Sequence, residues 1–536
     1  MRKGHKIIIA FALTMLATFS TYSERESEAS RQQPQEEIDV PPQYDDEHYF
    51  QIESLGNGTV RIIEYTGQGG AVRIPPHIQG MAVAEIGLMA FYRDQLTSVA
   101  IPDSVTVIGS HAFASNQLTS VIIPDSVTVI EDCAFMHNCL DRVTISNGVT
   151  VIRDNAFSYN QLTNVTIPDS VTTIELGAFT GNQLTSVTIP DGVIAIGVFA
   201  FCDNQLTDVT IGDSVTIIEG GAFRYNLLTN IIIPDSVTTI EWSAFEYNQL
   251  TNVTIGSNVT TIGDNAFSYN QLTNITIPDN VTTIGDNAFS YNQLTNIIIP
   301  DSVNTIGNDA FSKNSLTSVI IGNGVTTIGQ NAFNGNKLDS VVIPGNVTTI
   351  GYGAFSWNSL TNVAIPDSVT FIGEFAFGHN QLTGVVIPDG ITTIERSAFF
   401  HNRLTSVAIP DSVTVIGSHA FAGNRLDSVT FGRNVTTIGD WAFANNLLGS
   451  VTIPGSVTDI GEFAFHGSRL TSVIIPDSVT VIKDGVFGYN PLTSITIGAN
   501  VTMTRSAFEA RFYYSYGRYE RKAGTYTYSY DQWTLR

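Results

Sequence analysis

Basic side chains are scarce in this sequence: 25 Lys and Arg stand against 49 Asp and Glu, a net charge of −24 over 536 residues. Nucleic acids and anionic membranes call for a basic footprint, so neither is an expected partner. Cysteine is scarcer, at three residues, too few for the disulfide framework of a small secreted scaffold. Cys133, Cys139 and Cys202 also lie far from the N-terminus, so no lipid anchor is expected. Long apolar runs are missing too. The stretch from Ile7 to Phe19 is 13 residues long, whereas a membrane-spanning helix needs about 20. Preceded by Arg2, Lys3 and Lys6 and followed by Ser20 to Ser23, it reads as an export signal over residues 1–23, cut near Ser23. Residues 24–48 are acidic, polar and proline-containing, with too little apolar surface to offset ordering entropy, and read as a disordered leader.

What is abundant is Gly, Asn, Ser, Thr, Val and Ile, a mixture that favours strands and turns. Its arrangement is periodic. Leucine recurs every 22 residues from Leu96 to Leu492 without an insertion or deletion. Phenylalanine runs in parallel from Phe91 to Phe487, Ile from Ile86 to Ile482 and Ala from Ala90 to Ala464. One such unit cannot bury its apolar face alone, so stacking of neighbours must build a continuous core.

Within the unit Leu162 to Gln183, Leu162, Val165 and Ile167 predict a strand with Val165 and Ile167 inward and Asn164 and Thr166 outward. Pro168 removes a ladder donor, and Asp169 and Ser170 supply turn side chains. Val171 to Ile174 reads as a second short strand, and the Gly-x-x-Ala-Phe segment as a single helical or 3-10 turn that sends its Phe inward. Asn closes 17 of the 19 units, with Asp94 and Ser468 the exceptions, which suits a buried amide bonding the backbone of adjacent coils.

Stretches such as LTSVAIPDSVTVIGSHAFAGN, residues 404–424, resemble the BspA-type leucine-rich-repeat family of surface proteins. The resemblance covers roughly residues 74–508. The unit here is one residue shorter than the family's usual repeat, and Asn stands where many members carry Cys. The resemblance implies a β-rich leucine-rich-repeat solenoid of 19 coils of 22 residues, with a curved parallel sheet on its concave face. It also implies a secreted or cell-surface protein engaged in adhesion, and brings no catalytic residue with it. The ends depart from the repeat. Residues 49–94 read as an N-terminal cap with a first partial repeat, residues 95–508 as the solenoid, and residues 509–536 as an aromatic hairpin in which Tyr526, Tyr528 and Tyr530 alternate.

No acids, bases or nucleophiles break the repeat and converge, so no catalytic residue, cofactor site or metal site is expected. The histidines, such as His111 and His419, fall in variable loop columns. Cys133, His137 and Cys139 share one loop and leave open a disulfide, free thiols or a three-ligand metal site. An Asp column (Asp103, Asp125, Asp169, Asp191, Asp213, Asp235) suggests either a calcium ladder or ordinary turn chemistry, and its lapse to Gly345 and Arg433 favours the second. The outward column of the first strand carries almost no charge, and Ile298, Ile320, Val342, Ala364, Val386 and Ala408 make it apolar over six consecutive coils. Such a stripe reads equally as a partner-binding face or as β-branched residues suited to a solvent-facing sheet. The function expected is adhesion or protein–protein interaction through that sheet, with a protein of the host matrix or of another cell surface as partner. A periplasmic or envelope scaffold and a glycan-binding module are the alternatives.

Overall fold

A computed structural model describes residues 43–536. The export signal expected over residues 1–23, and all but the end of the 24–48 leader, lie outside the described residues. The end of that leader is not free of structure. Asp45 Oδ2 accepts from the Arg73 N–H at 2.6 Å, and Asp46 caps a 3-10 turn at Glu47–Tyr49. Residues 45 and 46 thus belong to the N-terminal cap, because its backbone groups take up these carboxylates.

Each 22-residue unit forms one coil, and successive coils stack in register. The second short strand makes the longest ladder. Two-residue strands such as Thr173–Ile174, Ala195–Ile196 and Ile217–Ile218 pair in parallel, each with the equivalent residues of the next coil. With strands of the N-terminal cap they form a 17-stranded sheet running to Phe371–Ile372. A further four-stranded sheet links Thr393–Ile394 to Asp459–Ile460. The first strand is more broken than its Leu-x-x-Val-x-Ile pattern predicts. It pairs in short groups, as in Ser186–Thr188 with Asp208–Thr210 and Asn296–Ile299 with Ser318–Ile321. The Pro that follows in most units withdraws one N–H from that ladder, so the strand cannot lengthen.

The Gly-x-x-Ala-Phe segment is a bonded turn that never becomes helix. Ala112 N–H donates to Gly109 O and Ala114 N–H to His111 O, both at 3.1 Å. The residue before Ala and the residue before the closing Asn both take positive φ, as at His111 (56°) and Ser115 (59°). A left-handed residue stops helix propagation and turns the next N–H groups toward the neighbouring coil, where Phe113 donates to Ala134 O at 2.8 Å. A third set of coil-to-coil bonds thus runs beside the two strand ladders, pairing backbone groups that a buried turn would otherwise strand.

The core follows from this register. From Phe91 to Phe487 each phenyl ring stacks on the next at 5.0 to 5.7 Å. The Leu, Ile and Ala columns beside it are buried as well. At the N-terminal end, Phe50–Ser54 and Thr59–Tyr65 form an antiparallel pair, and the second of these joins the long sheet through Met81–Ile86. At the other end a helix, Ala510–Arg518, precedes the hairpin Gly524–Ser529/Gln532–Leu535, whereas the sequence pattern suggested a hairpin alone. Its buried Phe512 covers Phe508 at 4.8 Å, and Tyr516 Oη donates to Gly498 O at 2.8 Å. The spacing of Phe512 and Tyr516 is one helical turn, a signal easily lost among nearby tyrosines. Among the described residues no helix is long and apolar enough to cross a membrane.

Candidate partner-binding face

The first strand alternates strictly, so its outward residues are lifted clear of the core. In the strand Asn296–Ile299, Ile297 and Ile299 are buried while Asn296 and Ile298 are exposed. The same holds one coil on, where Ile320 lies directly opposite Ile298. Val342 and Ala364 pair through an isolated parallel bridge. All six residues of the apolar stripe are exposed, with Val342 at 76% and Val386 at 78%. Ile122, Ile232 and Ile474 occupy the same column and are also exposed, but Ile232 and Ile474 stand singly between threonines and Ile122 has only Ala100 beside it as an apolar neighbour. The stripe is flanked on the same face by Asn and Ser and, at 384, by Gly, so no charged residue stands in either column over those six coils.

The Asp column is used within the fold. Asp235 Oδ1 accepts from the backbone N–H of Ser257 at 2.6 Å, and Asp301 Oδ1 from that of Asn323 at 2.7 Å. Asp411 accepts from Arg433 N–H at 2.9 Å and pairs with the Arg433 guanidinium. These carboxylates pin the turn of one coil to the turn of the next, which is turn chemistry extended across the stack.

The model of the BspA type leucine rich repeat region matches residues 84–205, 172–294, 282–405 and 392–513, which together cover most of the chain. The chain belongs to this family. Leucine-rich repeats of the BspA type are typically scaffolds without enzymatic activity, engaged in protein–protein interaction or adhesion. Among solved structures it is similar to a leucine rich cell surface protein of Faecalibacterium prausnitzii, at 24% identity over 87% of this chain and 97% of that one, with a TM-score of 0.29. It is also similar to a leucine-rich repeat protein of Bacteroides ovatus, at 22% identity over 80% and 94% of the two chains and a TM-score of 0.41. A leucine rich repeat protein of T. pallidum is 31% identical over 31% of this chain and 82% of its own, with a TM-score of 0.30. No curated protein matches.

In this BspA-type chain the closing Asn does what the sequence pattern suggested. Its side chain bonds two carbonyls and one N–H, as Asn160 does with Phe135 O, Phe157 O and Leu140 N–H at 3.0 to 3.1 Å. In the Cys133–Cys139 loop neither sulfur is in a disulfide. Burial, with Asp132 and Asp154 adding to it, pushes the Cys133 thiol up to about 11, far from a reactive thiolate. His137 stacks on Tyr159 at 4.8 Å, and burial lowers its pKa.

That last contact belongs to a column which the sequence reading passed over as variable loop. Tyr225, Tyr247, Tyr269 and Tyr291 pile face to face at 4.4 to 4.8 Å on successive coils. The Arg224 guanidinium covers the first ring at 4.6 Å, and its Nε approaches the buried Glu246 carboxylate at 2.6 Å. All four tyrosines hold φ between 52° and 55°, a conformation that costs an L-residue with a bulky side chain roughly 1–2 kcal/mol. Their spacing of 22 residues was the available signal. It says that they superpose, though not that they do so at the surface.

Proposed function

We propose that this protein is an exported adhesin or interaction protein that docks a protein partner on the outward face of its first strands. The observation that carries the reading is the stripe from Ile298 to Ala408, exposed on six consecutive coils. Monomeric proteins seldom leave a contiguous apolar strip uncovered unless something binds there. The in-register stacking of the coils presents it at a fixed spacing, so association costs little ordering entropy. Family membership supports the same reading, since adhesion and protein–protein interaction are its general roles. The export signal read from residues 1–23 supports a partner outside the cytoplasm, of which a host matrix or another cell surface is the one this reading takes.

The test is adsorption of the full chain to intact cells and to immobilised matrix proteins, beside the double variant Ile320→Lys/Val342→Lys. Both positions are exposed, so the variant should keep its melting temperature and lose binding at least tenfold. Unchanged binding by a folded variant would sink the assignment of this face. Protease treatment of intact producing cells addresses location: removal of the repeats supports the adhesin, and their protection supports the envelope scaffold.

A further inference from the structure

The ring column that carries the tyrosines changes character further along. There Trp357 stacks on His379 at 3.9 Å, and His379 on His401 at 5.2 Å, all three planes within 14° of their neighbour. Phe400 buttresses both imidazoles edge-on, at 5.3 and 4.1 Å. Trp357 is 59% exposed although it holds φ 56°. Glycine bounds the pile on both sides, Gly335 before Trp357 and Gly423 after His401. A Cβ on Gly423 would sit 3.1 Å from His401 Nδ1, so the missing side chain leaves the end of the stack uncovered. The rings line an open cleft of about 520 Å³, and Arg403 and Arg425 stand along its rim on adjacent coils.

The electrostatics are unusual for this chain. Arg61, Arg224 and Arg433 are all paired with carboxylates. Arg403 and Arg425 are exposed and, among the described residues, have no ion-pair partner. The acid nearest Arg425 in sequence, Asp427, accepts from Ser428, and Asp411, beyond Arg403, pairs with Arg433. Two more exposed cations, Lys313 and Lys337, lie on the coils just before Trp357, with Lys313 Nζ folded over Gly335. In a molecule of net charge −24, this edge gathers cations with no internal use.

We propose that this cleft binds an anionic polysaccharide, one whose sugars carry carboxylate or sulfate groups. Trp357 offers a flat apolar face for the C–H face of a pyranose ring. Arg403 and Arg425 offer forked donors for the acidic groups. Their repetition at the coil spacing suits a polymer whose charges recur at regular intervals. A peptide fits less well, because peptide recognition relies on apolar anchor pockets and this cleft is walled by Asn, Gln, His and Arg. The site lies on the turn edge and shares no residue with the apolar stripe, so the two readings stand or fall separately.

The experiment titrates the full chain with heparin, polygalacturonate, neutral dextran and poly-glutamate at two salt concentrations. Heparin or polygalacturonate should bind, more weakly as salt rises, with dextran and poly-glutamate at least tenfold weaker. The arm that binds identifies sulfate or carboxylate as the group recognised. Trp357→Gly introduces the residue found at 335 and 423 in the same column, and Trp357→Asn the residue found at 445, so both relieve backbone strain and should fold. Each should weaken binding tenfold or more, as should Arg403→Gln/Arg425→Gln, while Arg403→Lys/Arg425→Lys retains part of it. Absence of polysaccharide binding, equal binding of poly-glutamate, or full binding by either Trp357 variant would overturn the proposal.

Discussion

The side-chain amide of Asn248 donates to the backbone carbonyl of Phe223 at 2.9 Å, across the junction between two coils. The same nitrogen reaches Phe245 O at 3.2 Å in its own coil, and its Oδ1 accepts from Leu228 N–H at 3.0 Å. One buried amide thus satisfies three backbone groups that the left-handed turn leaves inside the stack. Since an unsatisfied buried group costs about 1–3 kcal/mol, this column ties coil to coil beside the short strands.

Asn248→Ala should accordingly destabilise the protein by about 2–4 kcal/mol, with more than one orphaned group left behind. Urea unfolding followed by circular dichroism measures it. Ser468 is the natural exception, keeping its hydroxyl bond to Phe443 O at 2.7 Å in place of the amide set. Ser468→Asn should raise stability by about 1 kcal/mol. A loss of stability there would show that the local backbone differs from that of the other coils.

Asp94 is the other exception, a carboxyl where the column asks for an amide. Burial, and secondarily the charge of Glu64, pushes it up to about 6 from 3.8. A folded-state value above the unfolded one means that the folded protein prefers the protonated form. Its contribution to stability is full below pH 3.8 and is lost as pH rises through 6. Asp94→Asn should therefore be the more stable protein at pH 7, by about 1 kcal/mol once partial exposure is discounted. The difference should shrink toward pH 4, which melting temperatures across that range would record.

The cysteines should behave as thiols of very different reach. Cys202 is buried, and burial with Asp203 pushes it up to about 12. At pH 8 an exchangeable aromatic disulfide reagent should leave Cys202 untouched until the chain is unfolded. Alkylation of the unfolded protein without prior reduction should mark all three cysteines by mass. A mass two labels short, restored by reduction, would instead place a disulfide between Cys133 and Cys139.

Tyr269 weighs strain against stacking. It gains two ring contacts, at 4.4 and 4.5 Å, worth together about 1–3 kcal/mol, and pays for a left-handed backbone about 1–2 kcal/mol. Tyr269→Asn should therefore change stability by no more than about 2 kcal/mol. A much larger loss in the urea midpoint would make the tyrosine pile a structural brace.

The sequence alone determined the 22-residue register, the inward Leu, Ile, Ala and Phe columns, the outward stripe from Ile298 to Ala408 and the family. Periodicity is enough for that, because a strict repeat forces equal positions to superpose, and apolar columns must face the shared core. Only the tertiary structure decided that the two-residue strands make the longer ladder, that the turn before Ala-Phe is left-handed, and that His379 and His401 leave the category of scattered loop histidines to stack beneath Trp357. The reason is common to all three. The bonds and ring contacts involved join residues about one coil apart, and whether a column meets its neighbours inside the stack or on its open edge depends on the backbone path between them, which a one-dimensional repeat does not contain.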